Sequence, residues 1–292
     1  MKELLLLHLL VISVMAGLFQ PPNEWQDADA SWLSNQIYKG VNTMNTDSGY
    51  VFHSHESEPF GAYAIWKQKK TGECYVVIRG THTLNDIFVD LDVEEYYDDE
   101  IGVGVHEGVR KRTNFYFRDI SDKLGICTED IIITGHSLGG SIAYYLYLKY
   151  VKYHIFDWAQ EAKASRFKAV LFGAPALTTY TNKKFLAKFN DYIHWYIYEN
   201  DPIPFIISEV KGSPTFFVLS KLLSSVGITI TEKAYNIIQT VSYGNYHPGK
   251  RYNLINGEKR DYSFRLISFN RNSIKDHMDL YKAVLILTKI WY

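Results

Sequence analysis

With 292 residues, 47% hydrophobic and 22% charged, the chain carries ample apolar material for a sizeable core, which excludes a disordered polypeptide. Thirty-one basic residues against 32 acidic ones give a formal net charge of -1, so no overall field draws in nucleic acid or an anionic membrane. The aromatic content, 15% with 23 Tyr and 16 Phe, suits a protein that handles apolar ligands at a wet boundary, and a coding bias toward Tyr explains it equally well.

From Leu4 an apolar run follows a short charged start and leads to Val14-Met15-Ala16, the pattern of a secretory signal peptide over residues 1–16. Glu3 and His8 weaken that pattern, and an apolar first helix is the alternative; the run is too short for a comfortable membrane span. No repeat, low-complexity tract or Pro/Ser-rich linker follows, so residues 17–292 read as a single domain.

In chain order, residues 29–38 read as a helix with Trp32, Leu33, Ile37 and Tyr38 on its apolar face. Residues 61–67 and 74–79 read as strands around the turn at Thr71-Gly72, and the pair His53-Ser54-His55 as a polar loop, since no further ligand at metal spacing backs it. A helix is expected over 109–124, a buried β-branched strand over 131–134, and a helix over 141–153. A strand over 169–172, part of a helix over 185–189 and a strand over 192–198 complete an alternation of strand and helix. That order predicts an α/β fold: a mostly parallel central sheet with helices on both faces, and functional groups at the carboxyl ends of its strands. Two cysteines remain: Cys74 starts one strand and Cys127 shortly precedes another. They come within bonding reach if those strands are neighbours, two buried free thiols being the commoner arrangement.

Gly135-His136-Ser137-Leu138-Gly139-Gly140 joins a buried strand to a helix. Small residues two before and two after Ser137 allow the tight turn that lifts its hydroxyl above a sheet, and the Leu138 N–H at the helix start can donate to a developing oxyanion. A serine hydroxyl needs a base, and the base an orienting carboxylate; in α/β-hydrolases these follow in the order Ser, acid, His. Asp201, in Asn200-Asp201-Pro202, sits after the 192–198 strand with Glu199 next in line. Downstream histidines are His247, beside Pro248-Gly249, and His277, before an apolar helical segment; His277 is the favoured base and His247 a turn residue.

These residues carry a resemblance to the class 3, fungal-type lipases. It rests on Ile78-Arg79-Gly80-Thr81 with Asp86, Val105-His106-Glu107-Gly108, the elbow at 135–140, Phe172-Gly173-Ala174-Pro175, Asn200-Asp201-Pro202 and Tyr246-His247-Pro248-Gly249, in order, and spans about 32–281. The resemblance implies Ser137 as nucleophile, Asp201 as acid, His277 as base, and Thr81 with Leu138 as the oxyanion hole. It also implies a lid after Thr81, where Leu84, Ile87, Phe88 and Leu91 fall on one helical face; packing of that face into the core is the alternative. Asp86 is structural by the same resemblance. Two departures stand out: an extra apolar stretch over 205–230, and Met278 where a small residue is usual after the base.

The reading is serine-dependent hydrolysis of lipid carboxylic esters by a secreted acylglycerol lipase that needs no cofactor or metal. Its partner is lipid ester at an interface, with transient membrane or droplet contact. Phospholipase A1, short-ester esterase or acyltransferase use the same triad, and a non-catalytic lipase-fold binding protein is the alternative of another class.

Overall fold

A computed structural model describes residues 21–57, 61–81, 95–153, 165–175, 178–180, 190–198, 201, 203–206, 250–255, 258–261, 277 and 287. Outside these lie the signal-like residues 1–16, the lid residues 84–91 with Asp86, the helix expected over 185–189, Glu199, His247 and all but the start of the apolar stretch over 205–230.

The first helix, α1 (Glu24–Gln36), begins five residues before the apolar periodicity suggests. Its start is chemical: Asn23 accepts from the Gln26 N–H while the Gln26 side chain accepts from the Asn23 N–H, a reciprocal cap that satisfies two orphan donors. A 3-10 turn (Ile37–Lys39) follows and carries Tyr38. Strands β1 (Gly49–Ser57), β2 (Gly61–Gln68) and β3 (Cys74–Ile78) form an antiparallel meander. The expected polar loop at His53-Ser54-His55 is therefore a strand; His53 and His55, two apart, share one face, where His53 Nε2 meets the Tyr63 hydroxyl at 2.8 Å and the His55 ring stacks on Tyr63.

A small antiparallel sheet that the hydrophobic pattern does not announce comprises β4 (Glu95–Asp98), β5 (Val103–His106) and β8 (Thr178–Tyr180), in that order. The main sheet continues with α2 (Glu107–Ser121), β6 (Ile131–His136), α3 (Leu138–Tyr153), β7 (Phe167–Phe172), β9 (Ile193–Tyr198), a short α4 (Ile203–Ile206), β10 (Lys250–Ile255) and β11 (Glu258–Asp261). Its eight strands run in the order β1-β2-β3-β6-β7-β9-β10-β11. Pairing is parallel from β3 through β10 and antiparallel at both edges.

Both faces of the sheet are covered, which explains the unbroken apolar run of β6. Ile131 and Ile133 enter a core with α2 and α3, whereas Ile132 enters the core beneath α1. Polar residues of α1 are buried for a reason that periodicity cannot read. Asp27 accepts from the Tyr196 hydroxyl at 2.5 Å, from His194 Nδ1 at 2.9 Å and from Lys259 Nζ at 3.3 Å, tying α1 to β9 and β11.

Because β3 and β6 are neighbours, Cys74 faces Ile131, and Cys127 swings back to bond it with the Cα atoms 5.9 Å apart. Of the two arrangements the sequence leaves open, the structure has the bonded pair and not the commoner free thiols. The missing information was which strands pair.

Candidate active site

At the carboxyl end of β6 the chain reverses into α3 through Ser137, whose φ of 58° is the single positive value at a non-glycine position among the described residues. A side chain in the left-handed region costs about 1–2 kcal/mol, so the surroundings must hold it there. They do: Ser137 N–H donates to the Phe172 carbonyl at 2.9 Å, and the Ser137 carbonyl accepts from Gly140 N–H at 2.9 Å. The Ser141 hydroxyl, one turn later, donates to the Pro175 carbonyl at 2.6 Å and fastens α3 to the loop after β7.

The flanking glycines are dictated by distance. A Cβ at Gly139 would sit 2.4 Å from the Ile78 carbonyl oxygen and 2.7 Å from the Gly80 nitrogen, and one at Gly135 2.5 Å from the Gly139 carbonyl. Backbone alone fits where β6, α3 and the end of β3 converge.

Three residues from distant parts of the chain meet above this turn. His277 Nδ1 faces both oxygens of Asp201, at 2.9 and 3.0 Å, and so carries the ring proton; Nε2 is left to accept the Ser137 hydroxyl at 3.0 Å. Ser137, Asp201 and His277 are each at most 2% exposed. Asp201 is itself placed by two backbone bonds, its Oδ1 accepting from Ile203 N–H at 2.9 Å and its N–H donating to the Tyr198 carbonyl at 2.9 Å. Gly173, at φ 54°, makes room: a Cβ there would lie 2.7 Å from Asp201 Oδ2 and 3.2 Å from His277 Nδ1.

Thr81 ends the segment that leaves β3 alongside the elbow, and its buried hydroxyl has no hydrogen-bond partner among the described residues. An unpaired buried donor costs about 1–3 kcal/mol, which makes it a group awaiting an acceptor. Leu138, the first residue of α3, is buried beside Ser137, and an N–H at the first helical position has no acceptor within its own helix. The structure thus brings Ser137, Asp201, His277, Thr81 and Leu138 into one neighbourhood; Leu84, Ile87, Phe88 and Leu91 lie outside the described residues. Tyr38, His136, Gly173 and Ser141 also support the site. Sequence reasoning gave them no role because their partners are remote along the chain. Among the described residues no group of three or more His, Cys, Asp or Glu gathers as a metal would require.

A mostly parallel sheet under helices, carrying a hydrogen-bonded Ser, His and Asp at its carboxyl edge, defines a carboxylic ester hydrolase of the α/β-hydrolase fold. Residues 75–211, which hold Ser137 and Asp201, match the family Lipase (class 3). Among solved structures, lipase II from Rhizopus niveus is similar at 17% identity with a TM-score of 0.57, covering 87% of this chain and 90% of its own. The Rhizomucor miehei triacylglyceride lipase is similar at 14% identity with a TM-score of 0.58, covering 86% of this chain and 90% of its own. A lipase from Rhizopus microsporus var. chinensis gives 17% identity, a TM-score of 0.53 and coverage of 87% and 83%. At such identities these likenesses speak for the fold. A search of curated proteins finds no match.

Proposed function

We propose that the protein hydrolyses acylglycerols, or closely related lipid esters, through an acyl-enzyme on Ser137. The observation that carries this reading is the hydrogen-bonded chain from Asp201 through His277 to the Ser137 hydroxyl. The Ser137 oxygen attacks the ester carbonyl carbon as its proton passes to His277 Nε2. Charge developing on the carbonyl oxygen is received by the N–H of Leu138 and by Thr81, whose idle hydroxyl gains the acceptor it lacks. Collapse breaks the bond to the alcohol, which leaves with the proton from His277. Water then gives its proton to His277 while its oxygen attacks the acyl carbon, and the acid departs as Ser137 recovers its hydrogen. Asp201 keeps the imidazole in the required tautomer and offsets the imidazolium charge.

A lipid surface as the place of work is supported by the family match and by Tyr96 and Tyr97, both 45% exposed on β4, just after the stretch that holds the expected lid. The disulfide fits an oxidising compartment and hence secretion. No helix among the described residues is long and apolar enough to cross a membrane.

Two measurements test the proposal. A fluorophosphonate probe labels the wild type and not Ser137→Ala; an unlabelled, folded wild type overturns the enzyme reading and favours a binding protein. Rates on tributyrin rise sharply as the substrate passes its solubility limit, whereas activity confined to dissolved short esters overturns the lipase assignment and leaves an esterase.

A further inference from the structure

Acyl transfer on Ser137 leaves two polar side chains beside the nucleophile without a task, one buried and one partly buried. His136 precedes Ser137 and is 5% exposed; Tyr38 comes from the turn after α1, almost 100 positions earlier in the chain (98). His136 Nε2 lies 2.9 Å from the backbone carbonyl of His277, and since a carbonyl only accepts, Nε2 carries the ring proton. Nδ1 is then an acceptor, and the Tyr38 hydroxyl reaches it at 3.2 Å. Burial pushes the Tyr38 phenol above its usual range, so it keeps the proton it donates; its oxygen is also bonded to the backbone of Gly80, the residue before Thr81.

Donors and acceptors alternate along this line without conflict: Gly80 N–H, Tyr38 O–H, His136, His277 C=O. Its two ends are the segment bearing Thr81 and the backbone of the base. Burial, and next the nearby His277 with ring centroids 4.7 Å away, hold His136 well below the usual imidazole range. A neutral neighbour matters here because turnover creates an imidazolium on His277, and a second positive ring at that distance would oppose it.

We propose that Tyr38 and His136 are positioning residues: one hydrogen-bond relay that sets the base His277 and the oxyanion residue Thr81 in register about Ser137. The assignment rests on the hydrolase reading above. Without the relay the His277 carbonyl and the Gly80 N–H lose buried partners, and the base drifts from the attack geometry, where a displacement of about 1 Å costs roughly 100-fold in rate.

The test is steady-state hydrolysis of a dissolved short ester by wild type, His136→Leu, His136→Gln, Tyr38→Phe and the double variant Tyr38→Phe/His136→Leu. His136→Leu is expected to lower kcat about 10- to 100-fold with KM within about twofold, the range of lost supporting hydrogen bonds around a reactive group. His136→Gln, which retains an N–H donor toward His277, recovers most of that loss. Tyr38→Phe removes one oxygen atom and lowers kcat less, and the double variant is no worse than His136→Leu because both changes cut the same line. A His136→Leu kcat within twofold of wild type, a loss confined to KM, no recovery in His136→Gln, or additive losses would each overturn the relay while leaving the hydrolase reading intact. If His136→Leu does not fold, Tyr38→Phe and His136→Gln decide on the same criteria. A folded wild type that neither turns over ester nor takes the fluorophosphonate probe overturns the hydrolase reading, and the relay's part in catalysis with it.

Discussion

An Asp201→Asn substitution preserves the outline of the acid while removing the charge that holds His277 Nδ1–H. An amide can present its own N–H to the ring and turn it to the wrong tautomer, so kcat is expected to fall about 10⁴-fold while the thermal midpoint stays close to wild type. Undiminished hydrolysis by that variant would move the acid to another residue, Glu199 first. Asp29 poses a residue-scale question of stability. Burial, aided by repulsion from Glu73, raises its carboxyl to about 6 from 3.8, so the folded protein holds that proton more tightly than the unfolded chain. The sign follows: the group costs nothing at pH 3.5, the cost grows between pH 4 and 6, and above pH 6 it is complete at no more than about 3 kcal/mol. Asp29→Asn is therefore expected to raise the urea midpoint at pH 8 and leave it unchanged at pH 3.5. Ser137 was readable at this scale from six consecutive residues. Asp201 and His277 needed the order of the family as well as local turns. Tyr38 and His136 were not readable at all, since their link runs through bonds spanning 98 and 141 positions.

The elbow can be tested as an element through its glycines. Gly139→Ala forces a methyl group into two backbone segments, at 2.4 and 2.7 Å, and is expected to destabilise by about 2–4 kcal/mol or prevent folding. Gly125→Ala, where nothing lies within 4 Å, is the control and should stay within about 0.5 kcal/mol. Chemical denaturation of the two variants compares them; equal midpoints would remove the packing argument. Elements that bury continuous apolar runs, β6 and β7 above all, were legible because both their faces meet core. Elsewhere the period misled. β1 carries His53, Ser54, His55 and Glu56 in a row on an edge of the sheet, where one face meets water, and it reads as loop. α1 starts at a side-chain cap and turns buried Asp27 and Ser31 inward, so apolar spacing places its beginning too late. The small sheet adds β8 (Thr178–Tyr180) to the local pair of short strands β4 and β5, a pairing that no local window contains.

For the molecule as a whole the Cys74–Cys127 bond closes a loop of 53 positions across neighbouring strands. Restricting the unfolded chain in that way stabilises by up to about 4 kcal/mol in the chain-entropy account. Replacing both cysteines by alanine is expected to lower the unfolding free energy toward that amount with the rate on a dissolved ester retained; an unchanged midpoint would show that the bond constrains little. Strand order also reaches function. Ser137 waits on a base 140 positions further along, so during synthesis the nucleophile is complete long before the group that arms it. A nascent chain grown as far as β11 holds its serine on a finished turn and yet has nothing to take the proton. Ester-cleaving power thus switches on as a late event of folding, once the segment that carries His277 has docked.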